Sequence, residues 1–228
     1  MKTVGILGGM GPLATADFME QLIRLTPAKL DQEHIPTIVH NVPQIPNRIE
    51  SILNGGESPL PFFINAIENM QKCGVEVVVI PCNTAHYWYD EINKKTSVEM
   101  IHIVDAVSAE ITAKNKPVGT KVGILATEAT VISEIYQKKL NENGYFCVLP
   151  DVDFQKHSDD AINLIKAGEL QISKALLEKA TEHLLENGAE IVVLGCTELP
   201  IVLDNEKIYI DSNEALAKAV IELTFNKP

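Results

Sequence analysis

Two short apolar runs, each ending in a cysteine, constrain this chain more than any other feature. Val77-Val78-Val79-Ile80-Pro81-Cys82-Asn83-Thr84-Ala85-His86 passes from a run of branched aliphatic residues to a thiol and small polar groups. Ile191-Val192-Val193-Leu194-Gly195-Cys196-Thr197-Glu198 does the same. Each follows a Gly-x-Glu lead-in, Gly74-Val75-Glu76 and Gly188-Ala189-Glu190, and the offsets 188 − 74 and 196 − 82 both give 114. Short valine-rich runs suit strands buried on both faces of a parallel sheet. Such sheets present their functional groups just beyond the carboxyl ends of the strands. Two cysteines in matched positions read as a pair meant to face each other.

A second repeat supports the first. Val4-Gly5-Ile6-Leu7-Gly8-Gly9 parallels Val122-Gly123-Ile124-Leu125-Ala126-Thr127 at an offset of 118 (122 − 4). Strand patterns alternate with helical ones, which implies parallel sheets with right-handed crossovers. The expected fold is α/β: two pseudo-symmetric domains, each a parallel, flavodoxin-like sheet flanked by helices, with the active site in the inter-domain cleft. The expected division is 1–103 plus 208–228 for the first domain and 104–207 for the second, the last helix returning to the first. Within this frame Met100 to Val104 reads as a strand, with Asp105 capping the helix after it. A helix is expected from about Ile132 to Asn143, closed by Gly144. Asp151 to Lys156 reads as a loop, helices follow near 158–166 and 170–187, and Lys207 to Ile210 reads as the last strand.

Composition excludes several classes. The chain has 228 residues, 46% hydrophobic and 22% charged, with a formal net charge of −12. That balance belongs to a globular protein and disfavours a non-specific nucleic-acid binder. No apolar stretch reaches the length of a membrane span. Met1-Lys2-Thr3 leads straight into a strand pattern, so no signal peptide and a cytoplasmic location are expected. The four cysteines are then expected as thiols. An anionic substrate would need a local cluster of cations.

The loops after the first strands carry further candidates. Gly9-x-Gly11-x-x-Ala14 formally matches a dinucleotide fingerprint, but the second strand ends in Val42-Pro43-Gln44 with no acid for a ribose, and Pro12 removes an amide. The milder reading is a glycine loop whose amides approach a small anion at a helix N-terminus. Pro43-Gln44-Ile45-Pro46-Asn47-Arg48 is a proline-stiffened loop bearing a lone arginine. His86 reads as a hydrogen-bonding or packing residue.

The cysteine pair itself admits four readings. A disulfide does not suit a reducing compartment, and two thiolates without a CxxC or histidine set are too few for a metal. Buried structural cysteines remain the reading for Cys73 and Cys147. Cys82 and Cys196 are followed at once by polar groups, and a helix N-terminus after each would favour the thiolate. That leaves one nucleophile or two acid/base groups, and symmetric placement favours the second. A racemase needs two near-equivalent groups on opposite faces of one carbon, one thiol and one thiolate, exchanging roles at each turnover.

These motifs resemble the aspartate racemase branch of the aspartate/glutamate racemase family, which works without pyridoxal phosphate. The shared features are Gly8-Gly9-Met10-Gly11-Pro12, the loop ending in Arg48, Pro81-Cys82-Asn83-Thr84-Ala85-His86 and Gly195-Cys196-Thr197-Glu198, in order along nearly the whole chain. The resemblance implies two α/β domains, frequently a homodimer, and no cofactor; from the residues and composition, no metal and no nucleic-acid or membrane partner are expected. It implies Cys82 and Cys196 as the two bases. The substrate-binding set expected with them is Met10, Gln44, Arg48, Asn83, Thr84, Thr127, Lys156, Thr197 and Glu198, with Arg48 and Lys156 as the cations for carboxylates. In many aspartate racemases the arginine is flanked as Asp-Arg-Thr; here it is Asn47-Arg48-Ile49. The expected substrate is a dicarboxylic amino acid, L-aspartate first. The alternatives are a broader aspartate/glutamate racemase, a maleate isomerase-like or decarboxylase-like enzyme on the same scaffold, and a non-catalytic binder of acidic amino acids.

Overall fold

The computed structural model describes residues 1–203 and 207–225. They form two compact units, Met1–Ala106 with the segment from Asn213, and Val107–Ser212. The elements of the first are β1 (Val4–Gly8), α1 (Pro12–Leu25), β2 (Thr37–Asn41), α2 (Arg48–Leu53), α3 (Leu60–Lys72), β3 (Val77–Val79), α4 (Tyr89–Lys95) and β4 (Glu99–Met100). The chain leaves it within α5 (Ile103–Ala113). The second holds β5 (Lys121–Leu125), α6 (Glu128–Ile132), α7 (Ile135–Glu142), β6 (Phe146–Val148), α8 (Val152–Ala167), α9 (Leu170–Glu186), β7 (Ile191–Leu194) and β8 (Tyr209–Asp211). Helix α10 (Ser212–Phe225) closes the chain. Among the described residues no helix is long and apolar enough to cross a membrane.

Each unit contains one four-stranded parallel sheet, in the orders β2-β1-β3-β4 and β6-β5-β7-β8. The two orders are the same order, so the internal repeat is a repeat of topology. The central strands are apolar throughout because helices cover both faces: β1, β3 and β7 are buried at every position. Gly5 allows a helix to come close, since a Cβ there would lie 2.3 Å from Met70 Cε on α3. Each sheet has its own core. Leu7, Phe63, Ile67, Met70, Trp88 and Ile92 fill the first, and Leu125, Ile162, Ile165, Leu177, Leu184 and Leu194 the second.

Four elements differ from expectation, each for a local reason. The strand expected at Met100 to Val104 is only β4, because His102 Nδ1 accepts from Val104 N at 3.1 Å and starts α5 there. Asp105 therefore sits in the first turn of α5, inside the helix and not ahead of it. The helix expected from Ile132 to Asn143 is two helices, α6 and α7, broken where Glu134 adopts a left-handed φ of 58°. Asp151 Oδ1 accepts from Phe154 N at 3.2 Å, an N-cap that starts α8 at Val152, so Lys156 lies on a helix and not in a loop. Finally, β8 pairs with β7 through Val192↔Tyr209, Val193↔Ile210 and Leu194↔Asp211. A boundary at residue 208 would have handed that strand to the first domain; its hydrogen bonds put it in the second sheet.

Candidate active site

In both sheets the strand order reverses between the first strand and the one after its neighbour. Loops leaving the carboxyl ends at such a point diverge and leave a crevice for a ligand. In the first unit these loops are Gly9–Gly11, after β1, and Pro81–Thr84, after β3. Gly9 has φ +97°, and a Cβ there would lie 2.4 Å from the Val42 carbonyl carbon, so only glycine fits. Its amide donates to Thr15 Oγ1 at 3.0 Å, and the Thr15 hydroxyl donates to Gly11 O at 2.9 Å. The Gly9 amide, one of those expected to approach an anion, is thus spent inside the loop. The loop instead holds Met10 inward, in the same apolar cluster as Cys82.

Cys82 is 6% exposed and in extended conformation. Asn83 and Thr84 beside it are buried. His86 braces this strand end: its Nε2 donates to Ile80 O at 3.1 Å and its Nδ1 accepts from Ile103 N at 3.4 Å. Both ring nitrogens are occupied by backbone, as a structural histidine requires. Helix α2 packs against the turn Asn83–Trp88. Its first residue is Arg48, whose Nη1 donates to Ile45 O at 3.1 Å and Pro46 O at 3.0 Å, while Nε is buried with no partner. Gln44 is exposed.

In the second unit Thr127 follows β5 and caps α6, its Oγ1 accepting from Thr130 N at 3.3 Å. Cys196 follows β7, is 8% exposed, and lies beside buried Thr197 and Glu198. The Cys196 thiol donates to Glu198 Oε2 at 2.9 Å. Burial pushes this thiol well above the usual range; Glu198 pushes it further, and Lys166 pulls it down only in part. This corrects the expectation of a helix-stabilised thiolate at Cys196. The turn after Cys196 is a 3-10 helix of three residues, too short to carry a helix dipole, whereas the six-residue 3-10 helix after Cys82 runs straight into α4. Lys156 is exposed on α8. Lys166, in the last turn of the same helix, is the cation whose charge reaches Cys196. Nothing in the sequence set Lys166 apart from a lysine that merely complements a helix C-terminus. The other two cysteines differ from the buried pair. Cys73 is exposed and Cys147 half-buried, so neither is the fully buried structural thiol expected.

The family model described as Asp/Glu/Hydantoin racemase matches residues 7–220. The chain belongs to that family. Among its racemase relatives, the broad specificity amino-acid racemase RacX of Bacillus subtilis (strain 168) is 33% identical over 230 residues, covering 96% of each chain. The glutamate racemase of Carboxydothermus hydrogenoformans is 32% identical over 196 residues, 84% of this chain and 67% of that one. The Picrophilus torridus aspartate racemase structure superposes with a TM-score of 0.86 at 33% identity, covering 98% of this chain and 94% of that one.

Proposed function

We propose that this racemase inverts an acidic amino acid, aspartate first, by a two-base mechanism in which Cys82 and Cys196 act on opposite faces of the α-carbon. One observation carries the reading: each cysteine is buried and stands at the same position, past the third strand in order, of two sheets with identical topology. A thiolate takes the α-proton and the C–H electron pair passes into the α-carboxylate. The opposite thiol delivers its proton to the other face, so the mirror-image product leaves with the thiol and thiolate interchanged. The step consumes no oxidant and needs no electron sink beyond the carboxylate. Cations that hold this carboxylate also stabilise the charge that accumulates on it.

Arg48 supports the acidic substrate. Its Nη1 is committed to the Ile45 and Pro46 carbonyls, which fixes the guanidinium, and its Nε edge is left without a protein partner. A buried donor left unmade costs about 1–3 kcal/mol, which a ligand carboxylate would relieve. In the second unit Lys166 replaces Lys156 as the proposed carboxylate ligand, because its charge is the one felt at Cys196. A broader specificity is the second reading, favoured by Asn47-Arg48-Ile49 and by the similarity to RacX.

The test is incubation in D2O, with no added cofactor, of the L-forms of aspartate, glutamate and a panel of neutral and basic amino acids. α-Deuterated D-aspartate, formed faster than any other product, is expected. Equal rates across the panel would establish the broad reading, and no α-deuteration of any amino acid would overturn both.

A further inference from the structure

Glu198 stands among the expected substrate contacts, and its surroundings give it a partner inside the protein as well. The residue is 4% exposed and its Oε2 accepts from the Cys196 thiol. Aimed at the substrate, a carboxylate would pair with its α-ammonium. Aimed at a thiol, it holds the proton on sulfur. Among the described residues, the other groups whose charge bears on Cys196 are Lys166 on α8 and the phenol of Tyr136 on α7, and Asp211 of β8 and Cys147 bear on that phenol in turn. Tyr136 is fully buried and stays neutral, so among the described residues the charges acting on the sulfur are one carboxylate in hydrogen-bond contact and one exposed ammonium. Contact in a buried site outweighs an exposed charge screened by water.

We propose that Glu198 is a positioning residue that keeps the proton on Cys196 in the resting protein, making the resting racemase one-handed, with Cys196 the acid and Cys82 the base. The proposal rests on the two-thiol reading above. In the first half-turn Cys82 takes the α-proton and the Cys196 S–H bond breaks as its proton passes to the opposite face of carbon. That leaves a thiolate against the Glu198 carboxylate. Two buried anions at that distance repel, so Cys196 in this form is the stronger base and readily reclaims a proton. The reset is a proton passing from the Cys82 thiol to the Cys196 thiolate, either through the opposite enantiomer or through water.

The test is iodoacetamide labelling from about pH 6 to pH 11, with Cys196 resolved from the other cysteines by peptide mass spectrometry, in wild type, Glu198→Gln and Glu198→Asp. Glu198→Gln keeps the shape and removes the charge. Its Cys196 labelling midpoint should fall by about one pH unit or more, raising the rate near neutral pH about tenfold. Glu198→Asp should stay nearer the wild type, and the Cys82 midpoint should not move in either. A Glu198→Gln midpoint equal to or above the wild type overturns the proposal. So does a wild-type Cys196 that labels with a midpoint at or below about 8.5, an ordinary thiol; that arm needs no variant to fold. Labelling does not depend on turnover. A wild type that labels as expected yet fails to racemise anything would sink the two-thiol reading and leave the Glu198–Cys196 coupling standing.

Discussion

The hydroxyl of Ser212 donates to the carbonyl of Leu194 at 2.7 Å, two residues before Cys196. Ser212 is fully buried, and the Tyr136 hydroxyl bonds to it. Because the serine hydrogen is committed to Leu194, the phenol donates to the serine oxygen. On the next residue, Gly195 N donates to Leu125 O at 2.7 Å, and a Cβ at Gly195 would lie 3.2 Å from Tyr136 Cε2. The backbone that delivers Cys196 is therefore fixed by β5, α7 and the start of α10. Ser212→Ala removes one partner from a buried carbonyl and one from a buried phenol. It should lower stability by about 1–3 kcal/mol in urea unfolding. It should also lower kcat more than it raises KM, because the reacting thiol moves while the carboxylate ligands do not. A variant that unfolds at the wild-type midpoint would show that the brace contributes nothing.

Gly9→Ala tests the opposite loop. The methyl group meets backbone atoms of Val42 and Pro43 at 2.4–2.7 Å, and the residue must hold φ +97°. Neither neighbour can swing aside as a side chain could. A loss of at least about 2 kcal/mol is expected, measured by thermal or urea unfolding. Gly55→Ala is the control: φ is also positive, but no atom lies within 4 Å of the added carbon, so the strain alone should cost about 1 kcal/mol.

Much of this was legible in the chain. Strands buried on both faces must be apolar, so β1, β3, β5 and β7 announced themselves by composition, and the matched offsets exposed the repeated topology. The same logic placed Cys82 and Cys196 past strand ends. What was hidden depends on side chains that act across the fold. His102 capping α5 and Asp151 capping α8 decide whether short segments are strand, loop or helix, and neither carries a periodic signal. Lys166 looked like any lysine closing a helix. Glu198 adjoined Cys196 in sequence, yet only the geometry showed its carboxylate on the thiol. Tyr136 and Ser212 had no visible link to Cys196 at all.

The cations separate the two helix positions. Arg48→Leu and Lys166→Met should each lower kcat/KM for aspartate by about thirtyfold or more, the loss of a charge-assisted pair worth about 2 kcal/mol at least. Arg48→Lys should not restore it, since a point charge cannot reproduce the guanidinium fork. Lys156→Met should leave kcat/KM within about twofold, as for an exposed surface charge. The reverse ranking of Lys156 and Lys166 would return the carboxylate contact to Lys156.

Cys147 supplies a pH dependence. Burial pushes its thiol up to about 12 from an unfolded value of 9.0. Above the unfolded value the unfolded chain loses this proton while the folded chain keeps it. The stability contribution is therefore complete below about pH 9 and falls as pH rises toward 12. Urea midpoints of the wild type should decline more steeply over that window than those of Cys147→Ala. Parallel declines would mean that Cys147 titrates as an ordinary thiol. Exposed Cys73 should be the first cysteine labelled at neutral pH.

The central claim is that two thiols serve opposite faces of one carbon. Its most direct test is α-hydrogen exchange in D2O by Cys82→Ser and Cys196→Ser, each supplied separately with L- and D-aspartate and read by proton NMR with chiral analysis of the product. Serine is far too weak an acid and base to trade roles at neutral pH. Both variants should therefore lose racemisation, and any exchange each one retains should be confined to one enantiomer, L for one variant and D for the other. Racemisation at near wild-type rate by either variant, or exchange of the same enantiomer by both, would contradict the account.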